Sequence, residues 1–482
     1  MKRDTIISVC KGIAIILMVI AHAEAPGWLC KFIFEFHMPL FFITAGYFFS
    51  LKYLNDEATF VKKRVKGLYW PFVKWSVFFL VIHNWMFDIG ILNEVYGNET
   101  GGVTHPYTWH QIQQNLWNIV TAMGGYDQFL CGAFWFFRGL FVASILYLII
   151  YKIVLKVLPQ RRAALAPYII CVIMLLLCGW KTYEGLKVVT LVQGGYRDMM
   201  GCFFFGCGVI FRQFVEQYRA MMSRSYTGLW ATLLFGGIVF LFSKYLTANM
   251  NWRSTYTQFL SLPIPALLGF LMTYNVSQWI DGHENILKRM LVYIGDHTLY
   301  AFIFHIISYK AVSLLKIWYY GLDIRQVGCH MVIHDYSQQD LFWIPYTIAG
   351  VGIPILGIWQ QYLAFARREP ELYRLLFLPR PGKASGGAME ALKLSQDLAR
   401  ESLMRIYKLD AAAADSYFRD LWLVAFSFAT LIVTDDCPYT DEEMFAVGTE
   451  ISLSICKAYK EIPGLAEGKF DKDALFRELV QK

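Results

Sequence analysis

Residues 6–24 read IISVCKGIAIILMVIAHAE, an apolar run that contains one lysine and reaches a histidine near its end. A helix needs about 20 mostly apolar residues to cross the hydrocarbon core of a bilayer, and this run has that length. Further stretches that qualify or nearly qualify follow at about 32–50, 68–87, 132–151, 167–182, 197–211, 227–246, 257–275, 292–315 and 341–363. The sequence therefore predicts an all-α fold, a polytopic membrane helix bundle of about ten spans.

The composition agrees with a membrane protein. Of the 482 residues, 56% are hydrophobic and 17% are charged, whereas soluble domains contain roughly 25% charged residues. These values exclude a disordered protein, a coiled coil and an ordinary cytosolic enzyme. The net charge is +13 for residues 1–384 and −6 for residues 385–482, so a basic membrane part precedes an acidic part. We expect no nucleic-acid partner, and the ten cysteines show no CxxC pair or zinc-like spacing, so we expect no metal.

Lysine and arginine are concentrated in alternate connections between the predicted spans. The connection after the second span has five basic residues between Lys52 and Lys66, whereas the long connection 88–131 has none. Because basic loops stay on the cytoplasmic side, both termini are predicted to be cytoplasmic. We expect a multi-pass protein of the plasma or inner membrane that is in direct contact with lipid.

The composition changes again near residue 366. We predict a membrane domain over 1–365, a linker over 366–388 and a small cytoplasmic helical domain over 389–482. Thr440 and Glu443 form a capping box that begins a helix, and the apolar run Leu421–Val433 is short enough to be a buried core helix. This C-terminal domain has no assigned role and is a possible site for a partner.

Two ionisable residues lie on one face of the first span. An ionisable side chain in hydrocarbon costs several kcal/mol, so each one is a candidate functional residue. Lys11 and His22 are eleven positions apart, which is about 20° past three helical turns and about 16 Å along the axis. The alternatives are a snorkelling anchor for Lys11 and a hydrogen-bonded helix-end residue for His22.

Other polar residues follow on later spans. His37 and Glu35 lie near the outer end of the second span, at a depth similar to that of His22, which suggests a proton-transfer site. His305 lies within the ninth span, where a single histidine is more often a packing residue. Arg138 lies in the aromatic run AFWFFRGLF of the fourth span.

The pattern of these residues resembles the acyltransferase-3 family of membrane-bound acyltransferases over about residues 1–365. The family's signatures are a basic residue separated from a His by ten intervening residues, an HMPLFF-like second span, a WF segment and a late pattern that ends in His. The matching residues are Lys11, His22, His37, Met38, Pro39, Leu40, Phe41, Phe42, Ala45, Gly46, Tyr47, Trp135, Phe136, Phe137, Leu140, Gly295, Thr298, Leu299, Phe302 and His305. One departure is Gly67, which stands where many relatives have the second arginine of an Arg-x-x-Arg motif.

The resemblance implies an enzyme that transfers an acetyl or similar group from acetyl-CoA to a cell-surface or envelope glycan. His22 is expected to be the general base or a transient acyl carrier, with its ring oriented by His37 or Glu35. The residues expected to bind the donor are Lys11, Lys63, Arg64 and Arg138. The residues expected to contact the glycan are Tyr107, Trp109 and His305, although the two aromatic residues also suit the membrane interface.

A second interpretation keeps the same buried residues and changes the function. A polytopic transporter or membrane sensor could use Lys11 and the histidines for passage or signalling. Transporters of this kind often consist of two related halves with interrupted helices, and the sequence shows no such internal repeat.

Overall fold

The computed structural model describes residues 4–99, 105–124, 128–186, 195–222, 225–250, 255–368 and, with short gaps, 396–473. Within these residues the chain forms helices and no β-strand. The helices, in chain order, are α1 (Thr5–His22), α2 (Gly27–Phe34), α3 (His37–Tyr47), α4 (Glu57–Arg64), α5 (Trp70–Asp88), α6 (Glu94–Glu99), α7 (Trp109–Ala122), α8 (Gln128–Cys131), α9 (Trp135–Val157), α10 (Ala166–Tyr183), α11 (Tyr196–Met222), α12 (Ser225–Tyr245), α13 (Tyr256–Ser261), α14 (Pro263–Asp281), α15 (Ile286–Asp296), α16 (Thr298–Tyr320), α17 (Trp343–Arg368), α18 (Ala411–Val433) and α19 (Asp441–Glu461).

The prediction of an all-α polytopic bundle is confirmed. Among the described residues, nine helical stretches are long and apolar enough to cross a membrane. The last predicted span, 341–363, corresponds to α17, in which Trp343–Ile355 is a shorter apolar helix. The chain forms two compact units, Met1–Ile355 and Leu356–Lys482, and the first contains all of the nine stretches.

The second span was predicted as one helix and is instead broken at Glu35 and Phe36. Its parts are α2 and α3, and the break has a local cause. Pro39 has no backbone N–H, so it cannot donate to the carbonyl of Glu35, and its ring disfavours a helix that continues through that carbonyl. Pro39 lies in the first turn of α3, where proline is tolerated.

Two other boundaries also differ from the prediction. The connection before the third span, expected to be a basic loop, is largely helical. Helix α4 ends at Arg64, and a π-helical turn, Val65–Tyr69, joins it to α5. The ninth span begins at Thr298 rather than 292, because α15 is a separate helix that ends at Asp296. The Asp296 carboxylate accepts a hydrogen bond from Ser8 Oγ at 2.9 Å, which ties this break to α1.

Helices α1 and α15 cross in direct backbone contact. A side-chain carbon at Gly12 would overlap the carbonyl oxygen of Leu291, and one at Gly295 would overlap that of Ser8. Only glycine allows two helix backbones to approach this closely. The crossing fixes the position of α1, the helix that carries Lys11 and His22.

The second unit contains the packed helices α18 and α19. The predicted capping box is present, since Glu443 N donates to Thr440 Oγ1 and Thr440 N donates to the Glu443 carboxylate. The run Leu421–Val433 is the second half of α18, which is longer than expected. Of the predicted linker, residues 366–368 belong to the last turn of α17, and residues 369–388 lie outside the described residues.

We predict that Gly295→Ala destabilises the membrane domain by about 1–3 kcal/mol, because the added methyl group meets a backbone carbonyl that cannot rotate away. The midpoint of thermal denaturation of the purified protein in detergent, followed by tryptophan fluorescence, measures the effect. Gly237→Ala is the matched control, since a side-chain carbon there has no neighbouring atom within 4 Å. Equal midpoints for the two variants would contradict the close crossing of α1 and α15.

Candidate active site

His22 and His305 form a hydrogen-bonded pair between α1 and α16. His22 Nδ1 lies 2.9 Å from His305 Nε2, and the two rings are stacked with centroids 5.1 Å apart. His305 is fully buried, whereas His22, the last residue of α1, is half-buried. His305, which was expected to contact the glycan, is therefore in direct contact with His22, the expected catalytic residue.

The second nitrogen of His305 determines which protons the pair carries. His305 Nδ1 lies 2.9 Å from the carbonyl oxygen of Phe302 and 3.1 Å from that of Ala301. Carbonyl oxygens only accept, so we assign the proton of a neutral His305 to Nδ1. His305 Nε2 then accepts a hydrogen bond from His22 Nδ1–H, and the Nε2 atom of neutral His22 keeps its lone pair. This tautomer of His22 suits a general base or a nucleophile.

Tyr309 holds the two helices of the pair together. Its hydroxyl donates to the carbonyl oxygen of Val19 at 2.6 Å, one turn before His22. Its ring also meets the His305 ring edge-on, with centroids 5.7 Å apart. Because Tyr309 is buried and hydrogen-bonded to α1, it limits the rotation of α16 and keeps His305 beside His22.

The expected role of His37 and Glu35 in orienting the ring of His22 does not agree with the contacts. His37 Nδ1 donates to the carbonyl oxygen of Ile33 at 2.9 Å, and Glu35 Oε1 accepts from Ala248 N at 3.0 Å. The break between α2 and α3 directs Glu35 toward the backbone that follows α12. His37 remains close enough to interact electrostatically with His22.

His330 is a candidate that the sequence analysis did not identify. It lies between α16 and α17 and interacts electrostatically with His22. A side-chain carbon at Gly132, at the beginning of the fourth span, would lie 4.0 Å from the His330 ring. The sequence signal was the apolar run Val327–Ile333, which is too short to cross a membrane and is flanked by polar residues.

The residues expected to bind the donor lie on three different helices. Lys63 Nζ donates to Tyr53 Oη at 3.0 Å, and the Arg64 guanidinium lies 4.8 Å from the ring centre of Phe60. Lys11 is half-buried on α1. Arg138 of α9 and Asp198 of α11 are both buried, and they interact electrostatically.

The aromatic residues expected to contact sugar differ in their surroundings. Trp109 begins α7 and is 71% exposed. The ring of Tyr107 stacks on His83 at 3.8 Å, and its backbone exchanges two hydrogen bonds with the side chain of Asn84. One face of Tyr107 is therefore already covered, while Trp109 is accessible. Within the described residues, no three His, Cys, Asp or Glu side chains are arranged to hold a metal ion.

These features define an integral membrane protein with a hydrogen-bonded pair of imidazoles at the end of its first spanning helix. The model of the acyltransferase-3 family, described as an acyltransferase domain, matches residues 4–359. The chain belongs to this family and is a membrane acyltransferase. Its family favours the enzyme over the transporter or sensor alternative. No curated protein and no solved structure matches the chain.

Proposed function

We propose that this acyltransferase moves an acetyl group from cytoplasmic acetyl-CoA to a hydroxyl of a cell-surface or envelope glycan, with His22 as its central catalytic residue. The observation that carries the proposal is the hydrogen bond from His22 Nδ1 to His305 Nε2, which leaves His22 Nε2 able to accept a proton or attack a carbonyl. In this proposal both chain termini are cytoplasmic, and His22 lies near the outer end of α1.

The donor would be held from the cytoplasmic side by basic side chains. Lys11 and the positively charged turn with Lys63 and Arg64 would bind the phosphates of acetyl-CoA. The thin pantetheine arm would extend along α1 toward His22, about 16 Å from Lys11. Arg138, on a helix that begins near the outer side, would help to position the donor at the reacting end.

The transfer can proceed in two ways that use the same atom of His22. As a general base, Nε2 takes the proton of the sugar hydroxyl while the oxygen attacks the thioester carbonyl. The carbon–sulfur bond then breaks, and the proton passes to the departing CoA thiolate. As an acyl carrier, Nε2 attacks the thioester first, the carbon–sulfur bond breaks and CoA leaves as the thiolate. The sugar hydroxyl then attacks the acyl group and displaces the imidazole, and its proton passes through His22 to the thiolate.

In both routes His305 is a positioning residue. Its Nε2 atom accepts from His22 Nδ1–H and disperses the positive charge that develops on the ring of His22. The carbonyl oxygens of Ala301 and Phe302 keep the proton on His305 Nδ1. This arrangement resembles the role of the carboxylate in a serine–histidine–aspartate triad, with an imidazole in its place.

The acceptor is proposed to be a glycan because aromatic side chains are available on the outer loops. Trp109 is largely exposed at the beginning of α7 and offers a flat apolar face for a sugar ring. Tyr107 adds the uncovered face of its ring. A titration that follows tryptophan quenching with candidate glycans tests this part, and the absence of quenching would assign Trp109 to the membrane interface.

We predict that His22→Ala lowers acetyl transfer by at least about 10³-fold, since the reacting nitrogen is lost. Purified protein is incubated with labelled acetyl-CoA and glycan, and the label on the glycan is measured. Label trapped on His22 of the unaltered protein after rapid quenching would identify the acyl-carrier route. Full activity of His22→Ala, with normal membrane insertion, would refute the proposed role of His22.

We also predict that His305→Ala lowers kcat/KM by at least about 10²-fold, because the ring of His22 loses its acceptor. His305→Gln retains an oxygen acceptor and is expected to keep more activity than His305→Ala. His283→Gln is the matched control, since His283 also bonds a backbone carbonyl four residues earlier, at 2.8 Å, but is exposed. The same small loss in all three variants would exclude a positioning role for His305.

A further inference from the structure

Residues 322–342, between α16 and α17, form a compact segment that we call the cap. Apart from the 3-10 turn Ile324–Gly328, the cap has no regular helix. Its middle is nevertheless buried: Cys329 is 4% exposed, and Val332 and Ile333 are almost completely covered. A connection with a buried apolar centre is held in a defined place and does not behave as a solvated loop.

Two lysines of α16 hold the cap by its backbone. Lys310 Nζ donates to the carbonyl oxygens of Val327 and Cys329, at 2.9 and 2.7 Å. Lys316 Nζ contacts Asp340 at 2.9 Å and donates to the carbonyl oxygen of Ile333 at 3.3 Å. Both lysines are buried, and burying a charge is costly unless it is paired and hydrogen-bonded. Both lysine side chains are therefore hydrogen-bonded when the cap is in this position.

The seated cap lies against the histidine pair. Val332 packs in the same apolar cluster as Val19 of α1 and Phe302 of α16, which are neighbours of His22 and His305 in the chain. The Ile333 N–H donates to the hydroxyl of Tyr346 at 3.5 Å. The cap also carries His330, which interacts electrostatically with His22.

Glu24 joins the cap to the end of the helix that carries His22. Its carboxylate accepts from His334 Nδ1 and from Ser337 Oγ, both at 2.5 Å. Its carbonyl oxygen accepts from Gln338 Nε2 at 3.1 Å. Glu24 also adopts the left-handed backbone conformation, with φ of +53°, which is unfavourable for a residue with a side chain. Glu24 therefore makes three contacts to the cap from a strained backbone position, two residues after His22. These contacts indicate a specific attachment of the cap to the end of α1.

The carboxyl group of Glu24 is in its charged form at neutral pH. Burial raises its pKa, but the hydrogen bonds from His334 and Ser337 and the nearby charges of His334 and Lys316 have the larger combined effect and lower it below the ordinary value. The charged carboxylate makes stronger hydrogen bonds to the cap than a neutral amide would.

We propose that the cap closes the outer side of the His22–His305 pair and that Glu24 is the positioning residue that keeps it closed, so that the acyl group passes to a sugar hydroxyl and not to water. The transfer part of this inference rests on the proposed function. In the side reaction, water adds to the same thioester carbonyl, the carbon–sulfur bond breaks, and acetate and the CoA thiol leave. A closed cap excludes bulk water from the reacting carbonyl.

The position of the cap is tested without any substrate. A membrane-impermeant maleimide is added to the full-length protein in membranes, and labelling of the Cys329 peptide is followed by mass spectrometry. Labelling is expected to be at least about tenfold faster in Glu24→Gln than in the unaltered protein, because a charge-assisted attachment is lost. Glu184→Gln removes an exposed carboxylate at the end of α10 and is expected to label at the unaltered rate.

The function of the cap is tested by the products. With labelled acetyl-CoA and glycan, Glu24→Gln is expected to raise the ratio of hydrolysis to transfer by about tenfold, with little change in the KM for the donor. Glu24→Asp keeps the carboxylate and tolerates the left-handed conformation, so it should restore part of the ratio. Gln338→Ala tests the same attachment from the cap if Glu24→Gln does not fold.

Equal labelling of Cys329 in the unaltered protein, Glu24→Gln and Gln338→Ala would overturn the proposed attachment. Faster labelling with an unchanged ratio of hydrolysis to transfer would overturn the exclusion of water. If the unaltered protein transfers nothing from acetyl-CoA but Cys329 protection depends on Glu24, the proposed function fails and the attachment stands. If transfer occurs but the protection of Cys329 is independent of Glu24, the proposed function stands and the proposed attachment fails.

Discussion

The arrangement of the membrane domain depends on one hydrogen bond between two imidazoles, from His22 Nδ1 to His305 Nε2. A fully buried ring nitrogen is costly without a hydrogen-bond partner, and the carbonyl oxygens of α16 supply one for His305 Nδ1. With its proton on Nδ1, His305 accepts a hydrogen bond at Nε2 from His22 Nδ1–H. The Nε2 atom of His22 is then the basic nitrogen of the pair. The bond exists only if α1 and α16 keep a fixed rotation, which Tyr309 secures through its hydrogen bond to Val19.

Much of this protein could be predicted from its sequence because the relevant signals are local. Apolar length predicted the spanning helices, and the spacing of Lys11 and His22 placed both on α1. The capping box at Thr440 was also predicted correctly, since its atoms lie within one helical turn. The resemblance to the acyltransferase-3 family depended partly on the same short-range spacing, and the family match confirmed the family.

The partners of these residues could not be predicted, because they depend on which helices are neighbours and on their rotation. His22 and His305 are 283 positions apart, and apolar periodicity shows that each lies in a span but not that they meet. Depth alone suggested His37 and Glu35 as partners of His22. The break that Pro39 causes in the second span turns Glu35 toward Ala248 instead, and the cap with His330 has no periodic pattern at all.

The ionisable residues of α1 and α16 belong to two groups. In one group the polar atoms are used in hydrogen bonds to the backbone, and in the other a basic nitrogen is left for chemistry. Lys310 and Lys316 donate hydrogen bonds to the backbone of the cap, so their side chains stabilise a fold that positions other residues. His22 differs because its pairing with His305 occupies one nitrogen and leaves the other basic. The cost of burial is therefore an insufficient criterion for catalysis. A stronger criterion is a ring nitrogen with an unused lone pair in a histidine whose other nitrogen is held by a fixed partner. Among the histidines expected to act, His22 meets this criterion through its hydrogen bond to the side chain of His305 on another helix.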